Sequence, residues 1–208
     1  VVEDTEYTLA DSDQMFGESL AIIVDGLTKI SSLKKDMDIS HLAENFRNML
    51  LTLNDDVRVI IIKISDRLHN MQTMDVMRPD KQVKIASETL YIYAPLAHRI
   101  GLYNIKTELE DLGLKYTEPE VYQDILNKIK DSKEEQQKYI NTFAAKLDEC
   151  LKKEDFEYII KGRTKYIFSI RRKMKIQNVS FDEVYDKFAI RIVFKPISKD
   201  EKFDAWKI

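Results

Sequence analysis

Five glycines and four prolines punctuate a chain of 208 residues, and this scarcity of turn-forming residues is the strongest constraint on its fold. Sandwiches and barrels built from many short strands draw heavily on both residue types, so the chain is expected to be mainly α, with long helices and few sharp turns. Hydrophobic residues make up 44% of it and aromatics 10%, enough to bury one sizeable core or two small ones, which excludes wholesale disorder. With 33 Lys and Arg against 36 Asp and Glu the formal charge is -3. That balance excludes a globally basic nucleic-acid coat but leaves room for a local basic patch. Cys150 is the lone cysteine, so an intrachain disulfide and any zinc site needing two thiolates are excluded, and a reducing, cytoplasmic setting is expected. No apolar run approaches the roughly 20 residues of a membrane span, and no signal-peptide pattern opens the chain.

Two kinds of patterning succeed one another. From residue 1 to about 117 apolar residues recur at helical spacing, while from about 156 the pattern becomes a strand, a basic helix and a second strand. Between them, residues 119–154 begin with Pro119 and carry Val121, Ile125 and Ile129, then Ile140, Phe143 and Leu147, as two amphipathic helices would. This stretch reads as a helical connector rather than a seat of chemistry.

The first sharp feature is VRVIIIKISDRLHNMQTM, residues 57–74. Its β-branched run favours a strand by propensity, but the spacing predicts a helix. At about 100° per residue, Val57, Ile61, Ile64, Leu68 and Met71 share one side and Asp66, Asn70 and Thr73 the opposite one. Val59 and Ile62 lie above Asp66, so the helix is expected to be apolar nearly all round in its first half and Asp66 to be sunk in a pocket. A carboxylate so placed needs a metal, a cation or several donors, and an ion pair with a neighbouring arginine is the plainer alternative to a metal. His69 is expected to be a hydrogen-bonding core residue, and His41 and His98 are too far along the chain for spacing to join them to it. Glu3 and Asp4, side by side, read on their own as helix-start residues.

The second sharp feature is KGRTKYIFSIRRKMKIQN, residues 161–178, with seven basic residues and no acidic one. A helix starting near Lys165 places Lys165, Ser169, Arg172 and Lys173 on one face and Ile167, Ile170 and Met174 on the other. The polar face suits phosphates, with Gly162 and Arg163 expected at the turn leading in. A solvated basic surface or RNA-backbone contact is the alternative. In FDEVYDKFAIRIVF, residues 181–194, Phe188, Ile190, Ile192 and Phe194 alternate with Ala189, Arg191 and Val193 as in a half-buried strand. Asp186 at its start is either a magnesium ligand beside bound phosphates or a turn-forming residue.

Taken together, VVEDT, VDGLTKI, AENFRNMLL, KISDRLHNMQTM, YAPLAHRIGLYNIKTELEDLGLKY, GRTKYIFSIRRKM and FDEVYDKFAIRIVF occur in the order and at the separations of the long RelA/SpoT homologue enzymes, which make and destroy (p)ppGpp. The chain closely resembles that family over nearly its whole length. The resemblance implies an HD-type all-helical hydrolase over residues 1–117, a helical connector over 118–154, and the beginning of an α/β nucleotidyltransferase-like synthetase over 155–208. The hydrolase of such enzymes removes the 3′-pyrophosphate of ppGpp or pppGpp with manganese, and the synthetase moves pyrophosphate from ATP to the 3′-hydroxyl of GDP or GTP. By the same resemblance Asp66 is a Mn2+ ligand, Glu3 and Asp4 organise the attacking water, and Asn70 and Thr73 line the nucleoside side. Arg163, Lys165, Ser169, Lys173 and Arg191 match ATP-binding positions and Asp186 a Mg2+ ligand.

The departures are at the ends. The His-Asp pair and upstream His of the family lie before Val1, none of His41, His69 and His98 matches a ligand, and the second acidic residue and guanosine-binding segment of the synthetase lie beyond Ile208. The polypeptide as written is therefore expected to hold manganese weakly and to be inactive in both reactions, as a piece of a bifunctional parent whose EDT and DRLHN motifs are intact. Ribosome association is expected only through regions outside this chain. Two other functions fit parts of the pattern: a helical RNA- or ribosome-docking module without catalysis, and an HD phosphohydrolase acting on another nucleotide.

Overall fold

The computed structural model describes residue 2 and residues 6–32, 56–153, 157–197 and 199–207. Two compact units divide the chain, Val1–Glu118 and Pro119–Ile208.

In the first unit, α1 (Leu9–Phe16) opens on a reciprocal cap in which the Asp11 N–H donates to the Thr8 hydroxyl and the Thr8 N–H to the Asp11 carboxylate. Gly17, at φ 86°, takes the left-handed conformation that separates α1 from α2 (Glu18–Ser32). Helix α3 (Val57–Gln72) starts on Asp56, whose carboxylate accepts the Arg58 N–H. A short 3-10 turn, Met74–Val76, leads into α4 (Pro79–Glu88), where Pro79 occupies a first-turn position that needs no N–H. A π-helical turn, Thr89–Tyr93, joins α4 to α5 (Ala94–Arg99). After Gly101, at φ 82°, comes α6 (Tyr103–Thr117). Helix α6 packs on α3, α4, the π-turn and α5, and α2 packs on α3. Ile60, Ile64, Met71, Met74, Ile92 and Leu109 form the centre of this core.

Residues 57–72 are helical, as the spacing predicts against their strand propensity. The face that α3 buries differs from the predicted one. Val57, Ile61 and Ile62 are exposed at 47%, 41% and 42%, and the buried stripe runs through Ile60, Ile64, Arg67 and Met71, with Val59 buried against Gly26 of α2. The spacing i, i+4, i+7, i+11 is as helical as the predicted one, but one of its members is a charged residue, which a hydrophobic count passes over.

In the second unit, α7 (Pro119–Asp131) and α8 (Lys133–Leu151) are the two amphipathic helices read from the sequence. They are followed by β1 (Glu157–Thr164), α9 (Ile167–Gln177), β2 (Phe188–Lys195) and α10 (Glu201–Lys207). The strands are antiparallel, in register from Glu157 opposite Lys195 to Thr164 opposite Phe188. Helix α8 lies on both strands and α9 on α7. Gly162 permits the first of these contacts: a Cβ there would stand 2.2 Å from Ile140 Cγ2. Gly162 and Arg163 thus belong to β1, opposite Ile190 and Ala189, rather than to the turn before the basic helix. Ile167 and Ile170 on α9 are buried, as are Phe181 and Val184 of the loop that follows, while Arg172 and Lys175 are exposed and Arg171 and Lys173 half-buried.

Candidate functional site

Helix α3 carries the candidates of the first unit. Asp66, Asn70 and Thr73 recur at i, i+4 and i+7, all three are exposed, and all stand away from the buried stripe. Thr73 ends the helix, donating both its N–H (3.1 Å) and its hydroxyl (3.0 Å) to the His69 carbonyl. The expectation that Asp66 is sunk in a pocket is overturned: it is exposed, and water can solvate its charge. The charge that α3 does bury is the next residue, Arg67, 5% exposed, whose Nη2 donates to Glu88 Oε2 at 2.8 Å. Burial cost therefore gives no argument for a metal at Asp66, and the arginine beside it is engaged elsewhere. His69, expected in the core, is exposed, and His98 is exposed with its ring edge-on to Tyr103 at 5.4 Å. Glu3, Asp4 and His41 lie outside the described residues.

The second unit gathers its candidates around Asp186. The ammonium groups of Lys165 and Lys173, eight residues apart along the basic segment, both donate to Asp186 Oδ2. Hydrogen bonds from Lys165 first and Lys173 next hold the Asp186 carboxyl at about 2, well below the usual carboxylate range. The same contact with Asp186 raises Lys173. The Lys165 N–H donates to the Lys187 carbonyl at 2.9 Å, tying the approach to α9 to the start of β2. Ser169 is half-buried on α9. Arg163 and Arg191 instead lie on the strands. The Arg163 guanidinium sits 5.4 Å from the Tyr166 ring centroid, and Arg191 stands directly opposite Lys161, a like-charged cross-strand pair that an anion would stabilise. A cavity of about 640 Å³ opens near Phe181, with Lys128, Ser132, Gln136 and Phe188 among its walls. None of the phosphate-directed residues lines it.

Neither carboxylate makes a metal site by itself. Among the described residues no three His, Cys, Asp or Glu side chains come together to hold an ion. Asp66 is an exposed carboxylate, and Asp186 is engaged by two ammonium groups that repel a dication. The described donors therefore do not fit manganese or magnesium on their own.

Sequence reasoning missed Arg67, Glu88 and the π-turn. The spacing of Ile60, Ile64 and Met71 places residue 67 in the buried stripe, but nothing local to Glu88 marks it as its partner 21 residues away.

The first unit is helical, and residues 1–103 match the HD domain family. Among curated proteins, a probable guanosine-3′,5′-bis(diphosphate) 3′-pyrophosphohydrolase of Synechocystis is 40% identical over 209 residues, covering all of this chain and 27% of that protein. The bifunctional (p)ppGpp synthase/hydrolase SpoT of Escherichia coli K12 is 39% identical over 93% of this chain and 28% of its own length. A GTP pyrophosphokinase of Myxococcus xanthus is 40% identical over 92% and 26%. The chain belongs to the RelA/SpoT family and carries its HD domain. It spans roughly a quarter of the length of these relatives. Among the described residues no helix is long and apolar enough to cross a membrane.

Proposed function

We propose that the chain carries most of a hydrolase that removes the 3′-pyrophosphate of ppGpp or pppGpp, followed by the start of a synthetase that moves pyrophosphate from ATP to GDP or GTP. The observation that supports this best is the match of the whole chain, at 40% identity, to a protein named as a 3′-pyrophosphohydrolase. In this reading residues 1–117 are the hydrolase, 118–154 a connector within the second compact unit, and 155–208 the opening of the synthetase. Asn70 and Thr73 face the nucleoside, and Glu3 and Asp4 orient water. Asp66 is the carboxylate this chain offers to manganese, and Asp186 the one it offers to magnesium. Pyrophosphoryl transfer needs charge neutralised around the phosphates rather than a protein nucleophile. Lys165 and Lys173, with Ser169, Arg163 and Arg191, supply that charge, and ATP phosphates compete with Asp186 for the two lysines. The enzyme works in the cytoplasm, and any ribosome contact is made by other regions.

The test is Asp66→Asn in the full-length protein. Pyrophosphate release from ppGpp should fall on the order of 100-fold or more, while synthesis from ATP and GDP persists. Unchanged release would remove the hydrolase assignment of α3, and faster turnover of dGTP than of ppGpp would move the substrate to another nucleotide.

One observation favours a second reading, RNA docking: Lys161, Arg163 and Arg191 share the exposed face of the hairpin. Binding that weakens steeply with salt, with no protection by ATP, would select it.

A further inference from the structure

The pair Arg67–Glu88 is buried, with side chains 6% and 10% exposed, and lies between two elements of the first unit. Arg67 reaches from α3 to the end of α4, where its Nη2 meets Glu88 Oε2 at 2.8 Å and its Nη1 approaches the Ile85 carbonyl at 3.4 Å. The guanidinium lies 4.1 Å from the centroid of the Tyr93 ring, itself 1% exposed. Glu88 immediately precedes and Tyr93 ends the π-turn Thr89–Tyr93, an insertion of the kind that recurs at functional sites. Thr89, at its start, donates to the Ile85 carbonyl and touches Met71 Sδ of α3.

Stability does not require such a pair, because well-packed apolar residues of similar volume replace buried ion pairs at little or no cost. What a planar, forked donor supplies is direction. Direction is what α3 lacks without it. Val57 and Ile61 are apolar and outside the core, and with Ile64, Leu68 and Met71 they make a second apolar stripe, so hydrophobic burial alone does not select the observed rotation of the helix over one that turns that stripe inward. Asp66 precedes Arg67 by one residue and Asn70 follows it by three, so the orientation of Arg67 sets theirs.

We propose that Glu88, acting through Arg67 and braced by Tyr93 and the π-turn, is a positioning residue that fixes the rotation of α3 and so holds Asp66 and Asn70 toward the guanine nucleotide. The inference rests on the reading of the Asp66 face as the ppGpp side of the hydrolase.

The test compares three variants in the full-length protein: Glu88→Gln, which keeps an acceptor for the guanidinium, Glu88→Met, and the double apolar variant Arg67→Met/Glu88→Met. Calorimetric affinity for ppGpp, the KM and kcat of its hydrolysis, and amide exchange over residues 66–73 are read beside thermal melting. The double variant should melt cooperatively near the wild type yet bind ppGpp roughly tenfold or more weakly, with faster exchange at the end of α3, since small misplacements are costly. Glu88→Gln should retain most of the affinity. A double variant that binds and turns over ppGpp like the wild type overturns the proposal. So does a Glu88→Gln variant as impaired as Glu88→Met, which is read even if the double variant does not fold. Asp66→Asn in the wild-type background separates the two failures: unchanged hydrolysis there means that the hydrolase reading, and this inference with it, is wrong.

Discussion

Asp66 and Arg67 are chain neighbours in different media. One turn of the helix carries a hydrated carboxylate toward solvent and a guanidinium into the core, where Glu88 and the Tyr93 face replace the water it loses. Asp186 is an exposed counterpart, half open to solvent and held by two lysines. Its carboxyl is lowered to about 2, so the native state gains stability from it above the ordinary carboxylate range near 3.9 and loses that gain as pH falls toward 2. An NMR titration of the Asp186 carboxyl should show a midpoint close to 2 that rises toward the ordinary value in Lys173→Met. A midpoint already ordinary in the wild type would mean that the lysines do not hold this carboxylate in solution.

At the scale of elements, the second unit depends on close approach between a helix and a hairpin. Gly162 lets α8 lie on β1 at a distance that a side chain would prevent, and Tyr139 of α8 continues the contact to Phe188 of β2, with ring centroids 5.1 Å apart. The Tyr158 hydroxyl closes the other end by donating to the Asp148 carboxylate of α8 at 2.8 Å. Gly162→Ala should therefore destabilise this unit by about 1–3 kcal/mol, the cost of overpacking, because the new methyl meets the branched Cγ2 of Ile140. Thermal or denaturant unfolding measures it. A neutral result would show that α8 and β1 part easily, and that the glycine is there for another reason.

On the scale of the whole molecule, α7 and α8 belong to the second compact unit, and the proposed function places them between a hydrolase and a synthetase. Phe143 lies on α8, 45% exposed and stacked on Tyr139, and Leu147 is one turn further on. If α8 transmits the occupancy of one site to the other, Phe143→Ala or Leu147→Ala in the full-length enzyme should change the ratio of ppGpp hydrolysis to synthesis while leaving melting nearly unchanged. Equal effects on both rates would exclude that role for these positions.

The mainly helical character, the amphipathic pair α7 and α8, the strand–helix–strand order after them and the kinship with RelA/SpoT enzymes were all legible in the sequence. They depend on local spacing, on the scarcity of glycine and proline and on ordered motifs, all of which are read along the chain without knowing which distant residues meet in space. The rotation of α3, the burial of Arg67 against Glu88, the exposure of Asp66 and the capture of Asp186 by Lys165 and Lys173 were decided only by the tertiary structure. Hydrophobic spacing limits the choice of buried face on a helix that is apolar on several sides but does not complete it. A charge finds its partner through space, across 21 residues for Arg67 and Glu88, a separation that no local pattern encodes.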